Sequence, residues 1–347
     1  MAESRDQVLS NLPDVPSGST VPTMTSLVWR DGRLTGERLT HLPDDLTAHV
    51  EDRLIWIDLV APTPDQIRRL AQAGLDEHTL EDVSARGERV KTARLADYTF
   101  STVYDVHRHA TGPERLQFRR LSVYALADCL LTIRADDSFH MDEVTQRWAD
   151  DENLVRCGVD GLLHGLLDVL VDRHFAILAA LDDETESLVD LLFADSPDIR
   201  DLQRRTFTTR RELVLLRRVV PPMRDVIATL IRDGQARRDW PVALMSYYED
   251  LNDHVLRATE WCDNLRDLLS NLFETNLALN DQRMNEAMKK VGGVAAIIAV
   301  PTLITGWYGQ NVPYWGFSTT AGFISSGVLV VVGVVGLYLY FRRKDWL

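Results

Sequence analysis

The strongest constraint in this 347-residue sequence is an uncharged stretch: residues 291–341 contain no Asp, Glu, Lys, Arg or His. Within it, 291–308 and 321–341 are apolar runs of some 18 and 21 residues, each close to the ~20 needed to cross a ~30 Å hydrocarbon core. The stretch is therefore expected to fold as a two-helix membrane hairpin. Lys289 and Lys290 precede the first run and Arg342, Arg343 and Lys344 follow the second, while the intervening loop carries no charge. Cationic flanks stay cytoplasmic, which places both ends of the hairpin inside and its loop outside. Two helices cannot surround water without exposing polar backbone to lipid, so a pathway requires several copies. The first run holds Gly292, Gly293, Ala295, Ala296 and Ala299, small residues that permit close helix approach. The second is rich in Val, Leu and Gly without a polar stripe and is expected to face lipid.

The remainder is a different kind of sequence. The formal charge is −14, and the four charged residues after position 341 sum to +2, which leaves −16 for residues 1–290. Such acidity disfavours nucleic acid as a partner and suits cations. Cys129, Cys157 and Cys262 are odd in number and far apart, so neither a disulfide framework nor a thiolate metal site is indicated, and a reducing cytosol fits. Residues 1–24 are mostly polar, with Pro13, Pro16 and Pro22, and lack the apolar core of a signal peptide; they read as a disordered tail.

Residues 25–156 mix strand and helix signals. Leu54-Ile55-Trp56-Ile57-Asp58-Leu59 and Leu121-Ser122-Val123-Tyr124-Ala125-Leu126 read as strands. Thr63-Pro64-Asp65-Gln66 opens a helix, and Asp76 begins another. An α/β domain follows from that mixture. From 157 to 240 apolar residues recur at helical spacing, as antiparallel helices would require, with an interruption at Pro221-Pro222. Residues 241–290 contain Pro only at 241 and no Gly, and read as a stalk helix on the order of 75 Å long. Its apolar positions Leu251, Val255, Ala258, Cys262, Leu265, Leu269 and Leu272 alternate by four and three before Asn276 and Leu279. That is heptad spacing, and the seam either joins neighbouring copies or packs on its own domain.

Beyond the first apolar run stands Tyr308-Gly309-Gln310-Asn311, and the last residues are Arg342-Arg343-Lys344-Asp345-Trp346-Leu347. With the stalk segment Arg283-Met284-Asn285-Glu286-Ala287-Met288, these motifs resemble the CorA family of divalent-cation channels, whose signature is Tyr-Gly-Met-Asn and whose basic tail ends in Trp-Leu. Trp56-Ile57-Asp58-Leu59, Leu80-Glu81-Asp82-Val83 and Tyr247-Tyr248-Glu249-Asp250-Leu251-Asn252-Asp253-His254 fall where family patterns place them, so the likeness covers nearly the whole chain. It implies a funnel-shaped homopentamer in a bacterial plasma membrane, multi-pass with both termini cytoplasmic. Membrane lipid and divalent cations would be its partners, and no organic cofactor would be needed. Mg²⁺ would be both cargo and regulator, with Co²⁺ or Ni²⁺ as further cargo, entering passively along the membrane potential.

Physical chemistry gives the outer mouth a role of its own. Mg²⁺ sheds water reluctantly and prefers oxygen, so Gly309 carbonyls and Asn311 side chains could ring a hydrated ion within the 309–320 loop. The resemblance marks Thr302 and Asn285 as polar pore rings and Met288, Val291 and Ala299 as constrictions that gate by dewetting. It also matches Asp82 and Asp250 to an intersubunit regulatory Mg²⁺ site, where opposed carboxylates repel unless a cation lies between them. Lys289, Lys290, Arg342, Arg343 and Lys344 resemble the family's basic collar, and equally form a topology signal. Gln310 replaces the usual Met, and the outer loop has no acid. Both departures keep a zinc transporter of the same family as the rival. A membrane-tethered sensor or enzyme is the second rival. It would need a catalytic constellation in residues 25–240, where His107-Arg108-His109 is the nearest candidate and reads as a solvated strand edge.

Overall fold

A computed structural model describes residues 23–49, 52–85, 87–109, 112, 115–194, 198–237, 240–310, 313, 316–344 and 346. The chain divides into two compact units, Met1–Leu269 and Ser270–Leu347.

The first unit is built on a seven-stranded sheet. Its strands are β1 (Thr23–Arg30), β2 (Arg33–Leu34), β3 (Arg53–Val60), β4 (Lys91–Arg94), β5 (Thr99–Arg108), β6 (Leu116–Ala125) and β7 (Cys129–Arg134), in the spatial order β2-β1-β3-β7-β6-β5-β4. β3 and β7 pair in parallel and the other neighbours antiparallel. Because those two central strands are covered on both faces, they read as nearly unbroken apolar runs. β1 begins at Thr23, two residues inside the expected tail.

Helices α1 (Pro64–Gln72) and α2 (Glu77–Ser84) close one layer over a core that includes Ile57, Leu70, Leu80, Phe100, Tyr124 and Leu131. Each start has a local cause. Thr63 Oγ1 accepts from Gln66 N at 3.2 Å while Thr63 N donates to Gln66 Oε1 at 2.8 Å, and Asp76 accepts from His78 N. On the other side Trp56 meets Trp148 edge-on at 5.3 Å between ring centres. Trp148 belongs to α3 (Asp142–Asp150), which is followed by α4 (Glu152–Arg156).

Three further helices and part of a fourth form a bundle in this unit: α5 (Val159–Phe193), α6 (Ile199–Leu216), α7 (Val220–Arg237) and the first residues of α8 (Val242–Tyr308). α5 and α8 run parallel, since His164 Nε2 lies 3.0 Å from Tyr247 O and Trp261 Nε1 donates to Asp182 Oδ2 at 3.2 Å. α6 and α7 return antiparallel, held by Arg205–Glu184 and Arg217–Asp263 at 3.0 and 2.9 Å. The break between α6 and α7 precedes Pro221 and Pro222, which sit in the first turn of α7. There a missing N–H costs nothing.

The buried seam of α8 resolves an alternative. Leu251, Val255, Ala258, Cys262, Leu265 and Leu269 are each at most 2 % exposed within the single chain, so this heptad packs on its own domain.

His174 on α5 donates from Nε2 to Tyr104 O at 3.0 Å, and burial pushes its pKa down to about 4. A depressed basic group stays neutral in the fold, so its contribution is intact above the ordinary value near 6.5 and is lost as pH falls towards 4. Denaturant titration should show this one group weakening the fold by about 2 kcal/mol between pH 7 and pH 5. In His174→Gln that part of the pH dependence should vanish; an unchanged slope would exclude His174 as its source.

Candidate functional site

In the second unit α8 continues without interruption through Gly292, Gly293 and Pro301 to Tyr308, 67 residues in all and about 100 Å at 1.5 Å per residue. A second apolar helix, α9 (Thr320–Arg343), is capped by Thr319, whose Oγ1 accepts from Gly322 N at 3.2 Å. Both helices are long and apolar enough to cross a membrane.

The hairpin has a definite inner face. Gly293 is buried and Ile297, Val300, Ile304 and Tyr308 are half-buried on one side of α8. Tyr308 Oη lies 3.4 Å from Ser325 Oγ. A Cβ at Gly333 would sit 2.8 Å from Val300 Cγ1, which explains glycine at that crossing.

The opposite side of α8 is exposed and, beyond Met288 and the flanking Val291, is made of small or polar groups. Met288, Gly292, Ala295, Ala299, Thr302, Gly306 and Gly309 follow one another by four and three and are all exposed. The spacing keeps them on one side of the helix, drifting only ~20° per heptad. Asn285 and Val291 are exposed at the head and flank of the same face. Thus Asn285, Met288, Val291, Ala299, Thr302 and Gly309 all lie along one exposed side of α8. Asn311 lies outside the described residues.

Thr302 Oγ1 donates to Ile298 O at 2.9 Å. With its proton held by the backbone, the hydroxyl can offer only lone pairs to an approaching group, the polarity a cation requires. Gly309 N donates to Thr305 O at 2.8 Å, and Gln310 N donates to Trp307 O at 3.3 Å as the helix tightens and ends.

Sequence reasoning missed what lies towards the N-terminus of α8. Asp253, Glu260 and Asp267 in the first unit, and Glu274 and Asp281 in the second, recur every seven residues and are all exposed. The same register continues into Met288, Ala295, Thr302 and Gly309. The clue was a second period of seven, on the side of α8 away from its apolar seam.

Lys289, Lys290, Arg342, Arg343 and Lys344 are exposed at the two ends of the hairpin. After them Trp346 stacks on Phe341 at 5.4 Å. Asp82, on α2, pairs with Lys91 Nζ at 2.8 Å, and Glu88 holds the same ammonium at 2.7 Å. Burial works against the charged Lys91, but hydrogen bonds to Asp82 and Glu88 outweigh it and raise its pKa. Asp250 is largely exposed, with His254 Nε2 3.9 Å away. No hydrogen bond or ion pair joins Asp82 to Asp250 among the described residues, and none of those residues form a metal-holding cluster of three His, Cys, Asp or Glu.

Residues 51–343 match the family described as CorA-like Mg²⁺ transporter protein. The cobalt/magnesium transport protein CorA of Thermotoga maritima is 28 % identical over 325 residues, covering 87 % of this chain and 88 % of that one. The zinc transport protein ZntB of Yersinia enterocolitica is 23 % identical, covering 89 % and 92 %. The complete structure of the CorA magnesium transporter from Methanocaldococcus jannaschii superposes with a TM-score of 0.70 at 24 % identity, covering 94 % of this chain and 99 % of that one.

Proposed function

The chain belongs to the CorA-like Mg²⁺ transporter family, and on that premise we propose that several copies, five by family likeness, surround an aqueous path for Mg²⁺ with the exposed face of α8. One observation carries this reading: the side of α8 turned away from α9 presents Gly292, Ala295, Ala299, Thr302, Gly306 and Gly309, all small or polar and all exposed, although a lipid-facing helix would present large apolar ones. Thr302 and Asn285 contribute oxygen ligands, and Met288, Val291 and Ala299 form the apolar narrowing. Gly309 and Asn311 crown the outer end, where neutral oxygens hold the ion with its water. Both hairpin ends lie in the cytoplasm of a bacterial cell, with Lys289, Lys290, Arg342, Arg343 and Lys344 around the inner mouth. The acids at 253, 260, 267, 274 and 281 would ring the path on that side and concentrate divalent cations. A membrane potential of 100 mV supplies about 4.6 kcal/mol for a divalent ion, so no further energy source is required. The test is uptake by the purified protein in sealed vesicles: Mg²⁺ entering faster than Zn²⁺ supports the proposal, and Zn²⁺ alone entering would make the zinc reading correct.

Asp82 and Asp250 are proposed to share a regulatory Mg²⁺ between neighbouring subunits, which stabilises the closed bundle. In this chain Lys91 competes for Asp82. Asp250→Ala should therefore raise the internal Mg²⁺ needed to halve uptake, and Lys91→Gln should lower it, each by about tenfold if one strong charge contact changes. Equal inhibition curves for all three proteins would remove the site.

A further inference from the structure

His107 and His109, at the end of β5, project from the same side of the strand because side chains alternate with period two. His109 N donates to Arg115 O at 2.7 Å, which extends the ladder with β6 and holds both residues in strand geometry. Their rings stand 4.9 Å apart between centres at an interplanar angle of 79°. Two imidazoles bound to one tetrahedral metal at ~2.0–2.1 Å per nitrogen place their ring centres roughly 5 Å apart, so the pair already has the spacing of a chelate.

The pair opens on a cavity of about 570 Å³ that His140 and Glu143 also line. Among the described residues no third His, Cys, Asp or Glu joins the pair as a ligand, so water would complete the set. The arginines nearby are each engaged by an acid. Arg119 and Arg173 both bind the buried Asp105, Arg173 also binds Glu143, and Arg108 binds Glu212.

We infer that His107 and His109 form a cytosolic site for a borderline divalent transition metal, Zn²⁺, Co²⁺ or Ni²⁺, separate from the path through the membrane. Imidazole suits these ions and is a poor ligand for Mg²⁺, which demands oxygen. The site would therefore report on the metals that compete with Mg²⁺ for entry, even in a large excess of Mg²⁺.

The experiment titrates Co²⁺ into the purified full-length protein in millimolar Mg²⁺, which fills the oxygen sites, and follows the visible d–d bands. One site per chain with nitrogen coordination, displaced by Zn²⁺, is the expected result. His107→Ala and His109→Ala should each weaken it by at least about tenfold, since each removes half of the chelate. Both histidines are exposed, so unaltered thermal unfolding should accompany the loss. Absence of a site under excess Mg²⁺, or equal affinity in wild type and both Ala variants, would overturn the assignment.

Discussion

Replacing Asp58 with Ala should destabilise the first unit by about 3–5 kcal/mol, the cost of leaving a buried partner charge uncompensated. Asp58 is 1 % exposed and Arg134 6 %; across the parallel pair β3–β7 Asp58 stands opposite Thr132, and Arg134, two residues on, reaches it diagonally. Arg134 grips both carboxylate oxygens, with Nη2 to Oδ2 at 2.6 Å and Nε to Oδ1 at 3.2 Å, while Thr132 Oγ1 donates to Oδ1 at 2.6 Å. Arg134 Nη1 also donates to Asp137 Oδ1 at 3.2 Å and to Phe139 O, so the pair ties the strand end to the turn before α3. In a unit of this size the loss corresponds to a fall in Tm of roughly 6–20 °C. Asp58→Leu combined with Arg134→Leu should cost much less than Asp58→Ala, because it removes both charges and keeps the volume. A Tm for Asp58→Ala within a degree or two of wild type would show that water reaches the pair.

That ion pair illustrates what a sequence conceals. Trp56-Ile57-Asp58-Leu59 declared a strand through its β-branched and aromatic residues, and Thr63 and Asp76 announced helix starts through capping chemistry confined to three or four residues. Local signals of this kind need no partner. The Asp58–Arg134 contact joins residues 76 apart, and nothing in either neighbourhood names the other. For the same reason the parallel pairing of β3 and β7 could not be read, since a crossover leaves no mark on the strands that it connects.

The candidate site rests on a different kind of signal. Thr302, Asn285 and Gly309 came from family motifs, whereas helix periodicity supplied a correct period attached to an unresolved partner. The conspicuous heptad from Leu251 to Leu269 is apolar because it packs on its own domain. The face free to meet other copies is the inconspicuous one, where small and acidic residues recur at seven without any hydrophobic contrast. Asp250 stands close to the start of that face, while Asp82 is already bound to Lys91, a competitor that no motif had indicated.

Gly306→Leu should abolish divalent-cation uptake while leaving the protein folded and membrane-inserted. A Cβ at Gly306 would meet nothing within 4 Å, and the same holds at Gly292, so the protomer itself has room for a side chain there. Glycine inside a helix costs roughly 0.5–1 kcal/mol relative to Ala, so an isolated hairpin should gain from the change. Its retention on an open face is understandable if other copies bring the same face to a common axis, where a ring of leucines would close the passage and dewet it. Gly333→Leu is a different lesion, because its side chain would strike Val300 and part the hairpin. Gly327 is the control: a Cβ there also meets nothing within 4 Å, but it lies on α9, so Gly327→Leu should leave uptake near wild type. Flux in sealed vesicles should fall at least about tenfold for Gly306→Leu alone. Equal flux through Gly306→Leu and wild type would mean that this face of α8 borders lipid, and the ions would have to cross elsewhere.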